Sequence, residues 1–390
     1  DRGDTRWGVF APTDELFEDA IALAIDHGDT NGALAYCERG RARELIEAIE
    51  DSGRSPMADA SKGDAIIIEF ASLPARLIIF VVDHGRVRAV QQQVARPDLQ
   101  ESVEQLGRSV MANDEPQFRR YSAAIYERLL APIVAGLPAD RTLVFIPDGT
   151  LRAVPFAALI DSAGHYLIEQ HAVVIAPSAA VFTRLATAHP SPLQGRLHLL
   201  LVIGMTGGLD PLSAANREAN DVAAVYGSQV KIVRQDIQPS ALEARAASAE
   251  ILHFVGHEIE ANGVREAALV TAGRRDGRVG YLTVHDIASM SLRHTRAVVL
   301  AACGTARGRE RVGEGSISVA HAFLRSGVPS VVATLWPIDD AAAADFFTRL
   351  HRHLAAGVSP VEALRAAQLE CIRRRDVPLT MWSAVQVLGS

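Results

Sequence analysis

The sequence predicts an α/β fold in which a mostly parallel β-sheet is flanked by helices, and three observations support this. From residue 196 onwards, short apolar runs alternate with helical patterns, as they do in parallel sheets covered on both faces. Residues typical of helix ends stand between these segments. The composition, with 48% apolar and 22% charged residues over 390 positions, provides a substantial core and excludes a disordered chain.

Residues 1–62 are predicted to form an N-terminal helical hairpin. Two apolar stripes recur at helical spacing: Leu16, Ala20, Leu23 and Ala24, then Ala42, Leu45, Ile46 and Ile49. Gly28 and Gly32 are expected in the turn between the helices. The stretch 51–63, which contains Gly and Pro, is expected to be a linker.

Residues 63–195 predict a mixed α/β middle subdomain. Its expected elements are strands at 65–70 and 77–82, helices at 98–110 and 117–135, and a buried strand at 142–146. The first two strands follow each other closely enough to form a hairpin. Pro190 and Pro192 then separate this region from the next one.

Residues 196–390 predict the main sheet. The expected strands are 197–203, 230–233, 251–255, 297–302, 330–335 and 384–388, and the expected helices are 214–226, 240–248, 314–326, 341–356 and 360–374. Ser240 with Glu243, and Ser359 with Glu362, have the spacing of helix capping boxes.

Charge and composition exclude several classes of function. With 39 basic and 46 acidic residues the net charge is −7, which gives no electrostatic footprint for nucleic acid or for an anionic membrane. The longest apolar runs are far shorter than the roughly 20 residues of a membrane span. The chain starts with neither Met nor an apolar signal segment, so a cytoplasmic location is expected. The three cysteines lie far apart and no nucleotide-binding motif occurs, so neither a metal nor a cofactor is expected.

Two reactive side chains are expected at one edge of the main sheet. His257 and Cys303 each follow a predicted strand, and the carboxyl ends of parallel strands form the ligand crevice of such sheets. An imidazole beside a thiol can accept its proton and later protonate a leaving amine. The small residues Ala302 and Gly304 leave room for a substrate backbone and free an amide for an oxyanion hole. The pattern therefore indicates acyl transfer from a peptide.

A buried, inert thiol is the competing interpretation of each cysteine. Free cysteine is among the most buried residue types, which accounts for Cys37 and for Cys371 on the apolar stripe of the last long helix. At Cys303 the paired histidine favours a catalytic role instead. His253 lies inside a strand and is interpreted as a packed or hydrogen-bonded core residue.

At these positions the sequence resembles a known family. The strings ILHFVGH, AVVLAACGT, GEGSISVAHAFLRSGVPSVVATLWPIDD, SPVEALRAAQ and WSAVQVLG resemble the CHAT family, a branch of the caspase and separase class of cysteine proteases. The match runs through residues 197–390. Upstream, VFIPDGTLRAVPFAALI resembles the segment that precedes the protease core, and AYCERGRARELIEAI resembles the last helices of a tetratricopeptide repeat array.

The resemblance implies a caspase-like sheet with one antiparallel edge strand, a pseudo-protease-like middle region and endopeptidase activity. It also implies a His–Cys dyad at His257 and Cys303 and an oxyanion hole formed by the backbone amides of Glu258 and Cys303. The family usually has glycine directly after the histidine, whereas this chain has Glu258. A side chain there keeps the amide but restricts its conformation.

The segment WPIDD resembles the border of the pocket for the residue before the cleaved bond. Asp339 and Asp340 are therefore candidates for binding a Lys or Arg side chain through charge-assisted hydrogen bonds. Either residue also precedes an alanine-rich helical run and would serve as its N-cap. The sequence leaves both interpretations open.

The sequence thus predicts a cysteine endopeptidase that cleaves a protein substrate. The resemblance implies regulation by an activating protein partner through the helical N-terminal region, in bacterial signalling or defence. The alternative is a catalytically inactive CHAT scaffold that binds protein partners, in which Glu258 marks the loss of catalysis. Neither direct nucleic-acid binding nor membrane binding is expected.

Overall fold

The computed structural model describes residues 11–41, 64–134, 136–188, 193, 195–204, 213–234, 237–260, 267–271, 280–302, 304–306, 309–311 and 315–390. The chain divides into two compact units. The first comprises Asp1–Arg184 and Arg309–Ser316, and the second comprises Leu185–Gly308 and Ile317–Ser390. Within the described part of the chain, none of the helices combines the length and the apolarity that a membrane span requires.

The predicted N-terminal hairpin is present as helices α1 (Ala11–Asp26) and α2 (Thr30–Gly40). Gly28 occupies the turn with φ of +77°, a left-handed conformation that favours glycine. Gly32 was expected in that turn and is instead in the first turn of α2, because the Asp29 carboxylate caps the helix by accepting a hydrogen bond from the Gly32 amide at 2.8 Å. The second predicted stripe, at 42–49, lies outside the described residues.

The first unit contains a five-stranded sheet. Its strands are β1 (Ile66–Ser72), β2 (Leu77–Asp83), β3 (Arg86–Gln92), β4 (Leu143–Ile146) and β5 (Val173–Ile175). β1, β2 and β3 form an antiparallel meander, and β1, β4 and β5 run parallel to one another. The predicted hairpin is confirmed, whereas β3 and β5 were not predicted: β3 carries charged side chains at exposed positions, and β5 has only three residues.

Helices cover and connect these strands. They are α3 (Arg96–Met111), α4 (Glu115–Leu129), α5 (Ala131–Val134), α6 (Leu167–Gln170) and α7 (Ala179–Ala188), with 3-10 turns at Gly149–Ala153 and Phe156–Ala158. The single helix predicted at 117–135 is therefore two helices in the structure. Leu130 ends the longer one and leads directly into the short one.

Buried polar side chains attach the N-terminal hairpin to the rest of the first unit. The Glu38 carboxylate accepts hydrogen bonds from the amides of Ala179 and Ala180, at 2.8 and 3.1 Å, and so caps α7. Arg41 donates hydrogen bonds to the carbonyl of Phe70, which lies within β1, and to the carbonyl of Pro147, which directly follows β4. The hairpin is thus held by charge-assisted hydrogen bonds in addition to apolar packing.

The second unit contains the main sheet, and the predicted strands of residues 196–390 are all present. They are β6 (Leu199–Ile203), β7 (Val230–Val233), β8 (Ile251–Val255), β12 (Ala297–Ala301), β15 (Ser330–Thr334) and β16 (Val385–Gly389). β7, β6, β8, β12 and β15 pair in that order and are parallel, and β16 is the antiparallel strand that the resemblance implies. Every residue of β6, β8, β12 and β15 is buried, as expected of strands covered on both faces.

The helices of this unit are α8 (Ala215–Tyr226), α9 (Pro239–Ala246), α10 (Val284–Ser289), α11 (Val319–Arg325), α12 (Asp340–Ala355), α13 (Pro360–Arg374) and α14 (Leu379–Trp382). Ser359 caps α13 as predicted, with its hydroxyl accepting from the Glu362 amide at 3.3 Å. Ser240 does not cap α9 but lies inside it, because Pro239 starts the helix one residue earlier.

Two small sheets complete the fold. β9 (Glu258–Glu260), β10 (Ala267–Thr271) and β11 (Gly280–Thr283) form an antiparallel sheet directly after β8, and β13 (Arg309–Arg311) pairs with β14 (Gly315–Ile317). The helix predicted at 314–326 starts only at Val319, because the residues before it belong to β14. None of these short strands was predicted.

Candidate active site

The carboxyl ends of β6, β8 and β12 lie side by side. The register pairs Ile203 with Val255 and Val255 with Ala301. His257 is therefore two residues beyond a paired position on β8, and Cys303 is two residues beyond the matching position on β12. Cys303 itself lies outside the described residues. The strands that carry the two candidate residues are thus neighbours in register, which is the arrangement expected from the sequence.

Two glycines allow the strand ends to approach closely. The Gly204 amide donates to the Val255 carbonyl at 2.8 Å and the Gly256 amide donates to the Ala301 carbonyl at 3.2 Å, which continues the ladder beyond the strands. A Cβ on Gly204 would come within 2.3 Å of the Val270 carbonyl oxygen, and one on Gly256 within 2.7 Å of the Phe254 ring. Only glycine fits at these two strand ends.

The small sheet of β9, β10 and β11 fixes the backbone around Glu258. The Val270 amide donates to the His257 carbonyl at 2.9 Å, and the register pairs Glu258 with Leu269. In an antiparallel ladder hydrogen-bonded and non-hydrogen-bonded pairs alternate, so Glu258 stands in a non-hydrogen-bonded pair. Its amide N–H therefore points away from β10 and is not used by that ladder. This orientation is compatible with the oxyanion role that the resemblance implies.

The Glu258 side chain lies on an apolar face. Its cross-strand partner Leu269 and the next partner Leu282 are both fully buried. Burial raises the pKa of Glu258 to about 8, and its Oε2 atom makes no hydrogen bond. A large part of this carboxyl group is therefore protonated at neutral pH.

In the turn after β12, the Gly304 amide donates a hydrogen bond to the Thr334 hydroxyl at 3.0 Å, so it is not available to an oxyanion hole. Gly304 has φ of +75°, and nothing lies within 4 Å of an added Cβ. Glycine is therefore required here by backbone conformation and not by space.

Asp339 and Asp340 both have backbone partners. Asp339 is the N-cap of α12, and its carboxylate accepts from the Ala342 amide at 2.8 Å. The Asp340 carboxylate accepts from the Ala214 amide and from the Ser213 hydroxyl, and so holds the start of α8. The capping role that the sequence left open is present for Asp339. Binding of a basic substrate side chain by either residue stays a prediction.

His253 belongs to a buried polar chain. Its Nδ1 lies 2.5 Å from Nε2 of His351, whose Nδ1 lies 2.9 Å from the Tyr226 hydroxyl. On the other side, Nε2 of His253 is 2.9 Å from Oε1 of Glu218. Burial lowers the pKa of His253 to about 3, so its imidazole is neutral at pH 7, and burial also raises the pKa of Glu218. The interpretation of His253 as a hydrogen-bonded core residue is confirmed.

The two described cysteines are buried free thiols. Burial raises the pKa of Cys371 to about 11 and that of Cys37 well above its usual value. Each sulfur lies beside a guanidinium group, of Arg349 and Arg41 respectively, at 3.5 and 3.3 Å. Their interpretation as inert core residues agrees with this burial. Among the described residues no cluster of His, Cys, Asp and Glu could hold a metal ion.

Sequence reasoning missed Thr334, Glu218 and His351. Thr334 is the last residue of β15, at the same sheet edge as His257, so the rule that selected His257 could also have selected it. For Glu218 and His351 the sequence offers no signal. Each stands in a helix whose pattern of polar and apolar residues is that of an ordinary amphipathic helix, and nothing in it marks these two polar residues as buried.

Comparison with known proteins agrees with this architecture. The sequence profile of the CHAT domain matches residues 119–390, which is more than half of the chain. The chain belongs to the CHAT-domain family. Among curated proteins, this CHAT chain is similar to tetratricopeptide repeat protein 28 of Mus musculus, with 25% identity over 307 residues, and to that of Homo sapiens, with 23% identity over 323 residues.

These matches cover 63% and 68% of the CHAT chain but only 12% and 13% of the two relatives, so the chain spans about an eighth of their length. Among solved structures it is similar to two crystal structures of the Saccharomyces cerevisiae separase–securin complex. Their TM-scores are 0.65 and 0.61, with 9% sequence identity, and the matches cover 97% and 92% of this chain and 34% and 31% of those chains. At this identity the similarity establishes the fold, a mixed α/β arrangement of the separase type.

Proposed function

We propose that this CHAT protein is a cysteine endopeptidase that uses His257 and Cys303 as a catalytic dyad. The observation that carries the proposal is the register of Val255 with Ala301, because it brings the two chain segments that bear these residues to one sheet edge. Membership of the CHAT family and the separase-like fold support a protease-like function.

The chemistry requires few groups. The His257 imidazole accepts the proton of the Cys303 thiol, and the thiolate attacks the carbonyl carbon of the scissile peptide bond. Negative charge develops on the carbonyl oxygen, where the amides of Glu258 and Cys303 would donate hydrogen bonds. The imidazolium then protonates the leaving amine, and water hydrolyses the thioester with His257 as the base. The Glu258 amide points away from β10 and is not used by that ladder, which supports its role as an oxyanion donor.

Substrate and regulation follow from the resemblance. We infer a protein substrate cleaved after Lys or Arg, with Asp339 or Asp340 as the acidic group. We also infer an activating protein partner that acts through the helical N-terminal region, in the cytoplasm and in bacterial signalling or defence. The hydrogen bonds of Glu38 and Arg41 support a regulatory role of this region. A partner that moved α2 would strain these bonds and so affect the rest of the first unit.

A diverse peptide library tests the activity and the preference together. Wild-type protein should cut peptides, and Cys303→Ala and His257→Ala should not. Asp98→Ala is a matched control, because Asp98 is exposed on α3 in the first unit. If wild-type protein and the Cys303→Ala variant give the same cuts, the proposed dyad is wrong.

The second candidate function is an inactive scaffold, and Glu258 in the place of the usual glycine is the observation that favours it. Alkylation rates separate the two. If His257 activates Cys303, iodoacetamide should modify Cys303 at least tenfold faster than Cys37 or Cys371, whose pKa values are raised by burial. Equal, slow rates at all three thiols would support the scaffold.

A further inference from the structure

Thr334 directs every polar group it has towards the turn that follows β12. It is the last residue of β15 and is fully buried. Its hydroxyl donates to the Ala302 carbonyl at 2.6 Å and accepts from the Gly304 amide at 3.0 Å. These are the two residues on either side of position 303. One side-chain oxygen therefore binds both neighbours of the candidate nucleophile.

The backbone of Thr334 is engaged with the same turn. Its amide donates to the Thr305 hydroxyl at 3.2 Å, and its carbonyl accepts from the Ala306 amide at 2.9 Å. The antiparallel pairing with β16 does not use the N–H and C=O of Thr334, so both can bind the turn after β12. The Leu335 amide donates to the carbonyl of Ala384, the residue directly before β16. Thr334 therefore stands in the adjacent non-hydrogen-bonded pair with Val385, and its N–H and C=O point towards β12.

The hydroxyl replaces a missing strand partner. β12 ends at Ala301, so the Ala302 carbonyl and the Gly304 amide lie beyond its ladder. A hydroxyl group can donate one hydrogen bond and accept others. It can therefore donate to the Ala302 carbonyl and accept from the Gly304 amide at the same time. Valine would fill the same β-branched volume without either bond, whereas serine would keep both.

We propose that Thr334 is a positioning residue that holds the turn containing residue 303 in the geometry needed for nucleophilic attack. This inference rests on the proposed peptidase function. Thr334 touches neither substrate nor the reacting atoms in this scheme and acts only through the backbone on both sides of residue 303. A displacement of about 1 Å in such a group is sufficient to reduce a rate by roughly 100-fold.

Three variants of the full chain test this, and the readouts are peptide cleavage and iodoacetamide alkylation of Cys303. Thr334→Val should lower kcat about 10- to 100-fold and change KM less than about twofold, because substrate binding is not its role. Thr334→Ser should retain most of kcat. The control is Thr295→Val: Thr295 is also fully buried and its hydroxyl donates to the Ala249 carbonyl, but it lies before the amino end of β12.

Alkylation keeps the test separate from the proposed function. If wild-type protein cleaves no peptide, the peptidase proposal fails, while the rate of Cys303 alkylation still decides the role of Thr334. A rate that falls several-fold in Thr334→Val, and is kept in Thr334→Ser and Thr295→Val, supports positioning. The proposal is overturned if the kcat and the Cys303 alkylation rate of Thr334→Val equal those of wild type, or if both equal those of Thr295→Val. So would a kcat loss that Thr334→Ser does not rescue.

Discussion

Replacing Glu258 by glutamine should stabilise the folded protein increasingly as the pH rises. The carboxyl group lies on the same strand face as Leu269 and Leu282, and its Oε2 atom has no hydrogen-bond partner. Burial raises its pKa from the usual 4.5 to about 8. Above pH 4.5 the unfolded chain releases this proton while the folded chain keeps it, so the carboxyl group lowers the stability as the pH rises.

The magnitude follows from the difference between the two pKa values. Each pH unit between 4.5 and 8 costs about 1.4 kcal/mol of unfolding free energy, which gives about 4 kcal/mol at pH 8. At pH 5.5 the cost is only about 1.4 kcal/mol by the same relation. Glutamine has nearly the same shape and does not titrate. The stability difference between Glu258→Gln and wild type should therefore increase by about 3 kcal/mol between pH 5.5 and pH 8.

Urea denaturation at several pH values measures this difference. Trp336 and Trp382 are both buried in the second unit, so their fluorescence follows its unfolding. Glu101→Gln is the matched control, because Glu101 is exposed on α3, and its difference from wild type should not change with pH. A constant difference for Glu258→Gln across the same range would refute the reasoning, since it would mean that the folded carboxyl group titrates near its usual pKa.

Four further outcomes can be measured. Glu258→Gly should keep or raise peptide cleavage, and a large loss would make the side chain a substrate or structural contact. Asp340→Ala should abolish cleavage after Lys or Arg while near-UV circular dichroism stays native; unchanged cleavage would exclude Asp340 from the pocket. Gly304→Ala should cost about 1–2 kcal/mol in urea denaturation, because φ is +75°, and no loss would contradict the strain argument. Because the folded pKa of His253 is about 3, this residue alone costs about 1.4 kcal/mol of stability per pH unit as the pH falls from 6.5 to 4. The stability of His253→Gln relative to wild type should therefore rise by about that amount per unit in urea denaturation, and a difference that does not change with pH would contradict it.

The sequence was sufficient to locate the main sheet because its strands are buried on both faces. Short continuous apolar runs such as those of β8 and β12 are typical of an internal strand, and the capping pattern at Ser359 marked where α13 begins. The rule that parallel strands present their carboxyl ends at one edge then selected His257. That much of the candidate site is a consequence of local pattern and strand direction.

Features that depend on a partner distant in sequence were not predictable. The role of the Thr334 hydroxyl depends on its hydrogen bonds to Ala302 and Gly304, which lie about 30 residues earlier in the chain. The hydrogen bond of the Gly304 amide was not predicted because the sequence does not show which side chain of β15 faces it. Short strands such as β9 were missed because three residues carry no measurable periodicity.

The buried polar chain connects parts of the second unit that the proposed function uses separately. His253 is on β8, four residues before His257, while His351 is on α12, the helix that starts at Asp340. Glu218 and Tyr226 lie on α8, whose first turn Asp340 holds. Hydrogen bonds in an apolar interior are costly to leave unmade, so α8, α12 and β8 cannot shift independently without breaking the bonds that join His253, His351 and Tyr226. We therefore expect the chain segments that lead to His257 and Asp340 to be coupled through the core. Under the proposed function, a substitution at His351 should change both the cleavage rate and the preference for a basic residue in the peptide-library assay, and a change in neither would contradict this coupling.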